Sequence, residues 1–153
     1  GALTEKNLAR MVDFKFLSEI VCFIDLGSLT TTSARMLDNL YTKYDKDFPA
    51  AEITKAKIDY AMGILKGWQW LHGLNVVKPH ILQMIIMSLI NGRDTKVLQP
   101  EGAIKEGLSD LSEAIEIGQS IKWGEFISAA SKTTNDKARK EVIYSSVSKV
   151  LFG

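Results

Sequence analysis

The chain has 153 residues, of which 46% are hydrophobic and 24% are charged, and this balance predicts a folded domain rather than a disordered chain. The formal net charge is only +1, so the overall charge attracts neither nucleic acid nor an acidic membrane surface. A single cysteine, Cys22, excludes an intramolecular disulfide and therefore a small secreted fold held together by such bonds.

The first part of the chain has the apolar spacing of amphipathic helices. Thr4 is expected to cap a short helix through Met11, and Asp13 to cap a second helix that stops at Gly27. The hydroxyl-rich segment 28–33 precedes a third helix. The apolar residues predicted to face the core are Leu17, Ile20, Val21 and Ile24 in the second helix and Ala34, Leu37, Leu40 and Tyr41 in the third.

A fourth helix is predicted to begin at Pro49, where a missing backbone N–H costs nothing, and to end at Gly73. Its apolar stripe consists of Ile58, Ala61, Met62, Leu65 and Trp68. The next helix, 79–90, is apolar on nearly every side and lies between Pro79 and Asn91-Gly92. Its apolar run is about half of the roughly 20 residues that a membrane-spanning helix needs, so it predicts a central helix enclosed by the others.

The second half of the chain continues in helices. A long helix after Pro100 is expected to carry one apolar face, a short segment follows at Trp123, and a last helix runs from Asn135 or Asp136 to Leu151. The apolar face of the long helix is predicted to contain Ile104, Leu108, Leu111, Ile115 and Ile121. Alternating strand patterns are absent from the sequence.

The sequence therefore predicts an all-α fold, a single irregular bundle of about seven helices around the buried helix 79–90. One domain is expected to span residues 1–153. Because the sequence begins with glycine, we expect it to be part of a longer protein. A cytoplasmic location, without membrane attachment, is the expected one.

Motifs for catalysis are missing from the sequence. His72 and His80 belong to no metal-ligand spacing, and neither a phosphate-binding glycine loop nor a GxSxG turn occurs. The acids of segment 101–116 fall on the predicted outer face of the long helix. We therefore predict no catalytic residue, no metal and no cofactor. An enzyme acting on a small ligand would require one of the histidines beside carboxylates in a polar pocket.

Charge is unevenly distributed along the second half. Segment 101–117 has five acids and one base, whereas segment 132–149 has five bases and two acids. Pairing of the two segments inside the domain, or plain solvation, is favoured. The alternative is phosphate contact by the basic start of the last helix, through Lys132, Lys137, Arg139 and Lys140. Among the tryptophans, Trp68 is predicted to be core, and Trp70 is the candidate for an exposed partner-binding residue.

Three short motifs are similar to a known family. They are Met11–Ile20, the Leu-Tyr-Thr-Lys-Tyr run at 40–44, and Phe126-Ile127 followed by Thr133-Thr134 and Lys137–Lys140. In this order they resemble the helical region C-terminal to the ParB-like nuclease/NTPase domain of GmrSD-type restriction proteins. Lysines at 137 and 140 replace the arginines of the family pattern, and the DGQQR-like catalytic motif and the early strands are absent.

The resemblance implies a non-catalytic helical domain of a DNA-directed defence protein, which supports a nuclease part or contacts DNA. Its partners would be DNA or the nuclease domain of the same protein. The residues by themselves leave a second hypothesis open, a protein–protein interaction module unrelated to nucleic acid. That hypothesis requires an exposed apolar docking surface, with Trp70 as its candidate residue.

Overall fold

The computed structural model describes residues 14–29, 33–46, 48–131 and 136–153. These residues form seven α-helices and one short 3₁₀ helix and contain no strand, which confirms the predicted all-α bundle. The helices are α1 Phe14–Leu26, α2 Ala34–Lys46, α3 Phe48–Gly67, the 3₁₀ helix Gln69–Gly73, α4 Pro79–Gly92, α5 Glu101–Ile117, α6 Gly124–Ala130 and α7 Lys137–Phe152. The predicted helix from Thr4 to Met11 and the cap at Asp13 lie outside the described residues.

Several helix ends follow from local hydrogen bonds that the sequence encodes. The Met36 N–H donates to Ser33 Oγ over 3.3 Å, and the Ala138 N–H donates to the Asp136 carboxylate over 2.9 Å. α1 stops where Gly27 takes a positive φ of 73°, a backbone conformation that side chains disfavour. The end of the predicted fourth helix was wrong, because α3 stops at Gly67 and Gly73 closes the 3₁₀ helix instead.

α4 is the central helix, as its sequence predicts. Residues 81–90 are all buried, and the helix packs against α7, α1 and α3. Two of these buried residues are polar, and each has a partner. The Gln83 amide donates to the Phe16 carbonyl over 3.1 Å, and the Ser88 and Ser148 hydroxyls lie 2.5 Å apart. Within the described ranges, none of the helices has both the length and the apolar character that crossing a membrane requires.

A short chain of hydrogen bonds joins α4 to α7. The Asn91 amide donates to the Tyr144 hydroxyl over 2.9 Å, and Tyr144 is also bonded to Ser148, the partner of Ser88. Burial raises the pKa of Tyr144, although both of its hydrogen bonds act in the opposite direction. Because buried polar groups need a matching partner, these bonds favour one position of α7 along α4 over shifted ones.

Two predicted apolar faces differ from the structure. In α1, Phe16, Ile20 and Phe23 are buried, whereas Leu17 and Val21 are only partly buried, so the core-facing side is rotated from the predicted one. Ile121 was assigned to the apolar face of the long helix but is fully exposed. α5 ends at Ile117, and Gly118 has a φ of 83°, so the helical spacing does not extend to residue 121.

Two glycines of α5 provide a test of helix packing. A Cβ at Gly107 would lie 2.5 Å from Val150 Cγ1 on α7, whereas a Cβ at Gly102 would have no atom within 4 Å. We expect Gly107→Ala to lower the free energy of unfolding by about 1–3 kcal/mol because α5 and α7 must move apart. Gly102→Ala should be neutral or slightly stabilising. Urea denaturation measures both, and equal midpoints for the two variants would contradict the close contact.

Candidate functional site

The basic start of α7 was the predicted nucleic-acid contact. Lys132 lies outside the described residues. The other three candidates stand in the first turn of α7, and each has an acidic neighbour. Lys137 Nζ lies 3.9 Å from a Glu141 oxygen, Arg139 Nε lies 3.7 Å from an Asp136 oxygen, and Lys140 Nζ lies 3.4 Å from a Glu19 oxygen. These three ion pairs lie inside the domain, but their partners are on α1 and around the start of α7 and not in the acidic segment 101–117, where the pairing of segments was predicted.

Lys140 is the most enclosed of these three residues. It is only 8% exposed, and its ammonium group points toward Glu19 on α1. Arg139 is partly covered as well, and its Nη1 atom is buried without a hydrogen-bond partner. Among the three predicted contacts that the structure describes, Lys137 has the most exposed side chain. The Asp136 carboxylate also occupies the amino end of α7, where it would repel an approaching phosphate.

Trp70, the predicted partner-binding residue, is half-buried and held at two points. Its ring stacks on Trp68 with centroids 5.4 Å apart, and its Nε1–H donates to a Glu101 oxygen over 2.9 Å. Trp68 itself is only 6% exposed, so its predicted core position is confirmed. Trp70 is therefore not a free-standing exposed aromatic side chain. It connects the end of α3 to the start of α5.

A groove lies beside these tryptophans, with a volume of about 320 Å³. We call it the Trp68 groove; its lining residues are Gly63, Ile64, Gly67, Trp68, Leu98, Gln99, Glu101 and Ile104. A Cβ at Gly63 or Gly67 would meet no atom within 4 Å, so bare helix backbone faces open space along this side of α3. Trp70 borders the groove through its stacking on Trp68 and its hydrogen bond to Glu101.

A second and larger groove, of about 820 Å³, runs between segment 96–100 and the carboxyl-terminal half of α7. We call it the Lys149 groove; its lining residues are Lys96, Val97, Leu98, Gln99, Pro100, Ser145, Ser148, Lys149, Phe152 and Gly153. Gln99 holds one wall in place, since its backbone N–H donates to the Leu151 carbonyl over 2.8 Å and its side chain to the Phe152 carbonyl over 3.1 Å.

The two grooves adjoin, because Leu98 and Gln99 line both. Val97, next to them, is an apolar side chain that is 85% exposed. Sequence reasoning assigned no role to segment 96–100. The sequence of this segment gives little indication of a binding role, because the extended connection before Pro100 contains neither helical periodicity nor a chemical motif. Only the folding of α7 against this segment produces the indentation.

The surroundings of His80 and Cys22 fit structural roles for these two side chains. His80 Nε2 lies 3.2 Å from the Ala130 carbonyl, to which it donates, and burial lowers the pKa of His80. Burial, together with the nearby Asp25 and Glu19, raises the pKa of the Cys22 thiol, which disfavours the reactive thiolate. In the part of the chain that the structure describes, no group of three or more histidine, cysteine or acidic side chains could hold a metal ion.

In comparisons with protein-family models, curated proteins and solved structures, no match to this chain was found. The relation to GmrSD-type restriction proteins therefore stays a prediction.

Proposed function

We propose that this domain is a non-catalytic helical module that binds a segment of a partner protein along the two adjoining grooves. The observation that carries the proposal is their continuity at Leu98 and Gln99, next to the exposed apolar side chain of Val97. Together they make an indentation whose lining combines apolar side chains with backbone and side-chain polar groups, and peptide-binding sites use contacts of both kinds.

The same grooves do not favour an enzyme. The ionisable side chains that line them are Lys96, Lys149 and Glu101, and Glu101 accepts a hydrogen bond from Trp70. A catalytic site usually combines a nucleophile or base with groups that orient it in an enclosed setting. The lining here provides surfaces for contact and hydrogen bonding instead, which fits recognition of an extended segment.

If the resemblance to GmrSD-type restriction proteins holds, this helical module would belong to such a protein. It would then support the nuclease part by binding a segment of that part or of a partner protein. Direct DNA contact is the competing role within the same family. Of the three candidate residues that the structure describes, Lys137 has the most favourable position, because Lys140 and Arg139 are covered and paired.

Filling the Trp68 groove should weaken the binding of a partner segment. We expect Gly63→Leu to fold, because a Cβ there meets open space, and to place a branched side chain inside the groove. The measurement is selection of a phage-displayed random peptide library on the purified domain, followed by titration of the enriched peptides. We expect at least a roughly tenfold weaker affinity for Gly63→Leu, equivalent to about 1.4 kcal/mol.

Gly124→Leu is the matched control, since Gly124 also faces open space but lines neither groove. It should bind the selected peptides as the unaltered domain does. If the library yields no enriched peptide, or if the enriched peptides bind Gly63→Leu and Gly124→Leu equally well, the grooves are not a docking site and the proposal is wrong.

A further inference from the structure

The side chains that line the Lys149 groove have an unbalanced charge. Lys96 and Lys149 are the ionisable side chains in its lining, and no aspartate or glutamate accompanies them. Among the residues that the structure describes, neither ammonium group has a carboxylate within the ion-pairing distance of 4.0 Å. Lys96 Nζ instead lies 5.5 Å from the centre of the Phe152 ring. α7 therefore carries paired bases at its start and an unpaired lysine near its end.

Apolar side chains accompany these two charges. Val97, Leu98, Pro100 and Phe152 are part of the lining, together with the hydroxyls of Ser145 and Ser148. A ligand that satisfies both properties must present negative charge and apolar groups close together. A peptide whose neighbouring residues include both acidic and apolar side chains on each face has this arrangement, since successive side chains of an extended segment point to opposite sides and so reach both walls of a groove.

We propose that the Lys149 groove binds an acidic segment of a partner protein, with carboxylates at Lys96 and Lys149 and an apolar side chain beside Val97. The proposal rests on the proposed docking function and names the chemistry of the partner. The continuation of the segment into the Trp68 groove would place a second apolar side chain over Gly63, against Trp68.

A peptide fits this groove better than a nucleic acid does. Binding to a phosphate backbone gains its affinity from a row of many basic contacts, whereas two lysines line this groove. A phosphate backbone would also leave the apolar side chains of the lining without an apolar contact.

The test is fluorescence anisotropy with a labelled peptide in which pairs of glutamates alternate with pairs of leucines, so that both faces of the extended peptide carry carboxylates and apolar side chains. We expect Lys96→Gln combined with Lys149→Gln to weaken binding by about tenfold and to reduce its dependence on salt. The control removes the same two charges elsewhere, as Lys105→Gln combined with Lys122→Gln; both residues are exposed and line neither groove. This control should bind as the unaltered domain does. Circular dichroism verifies that each variant is folded.

A charge exchange provides a second, independent readout. Lys96→Glu combined with Lys149→Glu should lose the glutamate peptide and gain affinity for the same peptide with lysine in place of glutamate. If both glutamine double variants bind the glutamate peptide equally, or if the exchange does not reverse the preference, the acidic-segment proposal is wrong. Tighter binding of labelled duplex or single-stranded DNA than of peptide, lost on removal of Lys96 and Lys149, would overturn it in favour of nucleic acid.

Failure of this inference is distinguishable from failure of the docking function. Library peptides that are lost with Gly63→Leu but lack acidic residues would overturn the acidic-segment proposal and leave the docking function standing. A library without any peptide that depends on the grooves would overturn both.

Discussion

Replacement of Ile85 by alanine is expected to lower the free energy of unfolding by about 3–4 kcal/mol. Ile85 is fully buried in the middle of α4, the helix against which α7, α1 and α3 pack. The substitution removes the transfer free energy of the lost carbon atoms and leaves a cavity that several helices would have to close together. Urea denaturation monitored by circular dichroism measures the change, which is a large fraction of the stability of a domain of this size.

Ile53→Ala is the matched control for this prediction. Ile53 lies on α3 and is 58% exposed, so the same change in side chain should alter stability by no more than about 0.5 kcal/mol. If Ile85→Ala and Ile53→Ala had similar denaturation midpoints, α4 would not be the enclosed centre of the bundle.

The second large effect concerns the ion pair between Lys140 and Glu19. Their side chains are only 11% and 13% exposed, and the pair joins α7 to α1. We expect Lys140→Ala to destabilise the domain by about 3 kcal/mol, because it leaves the Glu19 carboxylate poorly solvated and without its cation. Denaturation at neutral pH measures this effect. A double variant, Lys140→Met with Glu19→Leu, should recover most of the lost stability, since apolar residues of similar size need no partner there.

Lys137→Ala serves as the control, because Lys137 pairs with Glu141 on the same helix and both side chains are more than half exposed. Such a surface pair contributes only about 0.3–0.5 kcal/mol. An equally small effect for Lys140→Ala would show that water reaches the pair between α7 and α1, contrary to the structure. A double variant less stable than Lys140→Ala would contradict the assignment of the cost to an unpaired charge.

The position of Lys140 also decides how the DNA hypothesis can be tested. Charge reversal at Lys140 would unfold or weaken the domain whether or not DNA binds there, so it cannot report on binding. Lys137→Glu changes an exposed residue of the same predicted site. A salt-dependent DNA affinity that this substitution lowers would support a phosphate contact at the start of α7.

Parts of the fold could be predicted because their causes are local. Residues 81–90 are apolar on nearly every face of a helix, and such a helix is stable only when other elements cover it. Asp136 and Gly27 mark helix ends because a side-chain acceptor or a glycine satisfies the terminal backbone within a few residues. The predicted position of Ile121 failed because the helix period was continued past a glycine that ends it.

The candidate site was less accessible to sequence reasoning. Trp70 was selected as an exposed aromatic residue, and it borders the Trp68 groove, but its partner Glu101 lies 31 residues away. Lys149 was counted among the five bases of segment 132–149 but was not a candidate contact, and Lys96 had no predicted role, because each is isolated from other bases in the sequence. The hydrogen bond from Gln99 to Leu151 holds segment 96–100 against the end of α7, and the two lysines therefore line the same groove.

The sequence by itself determined the helical class, the central position of α4 and several helix ends, since these depend on apolar spacing and on hydrogen bonds between near neighbours. The tertiary structure alone decided which charges are paired and where a groove opens. Lys140 and Glu19 are 121 residues apart, and no periodicity along the chain encodes their contact. Such contacts depend on how several helices share one limited core, so the basic residues of α7 divide into a buried pair at one end and an open, positively charged groove at the other.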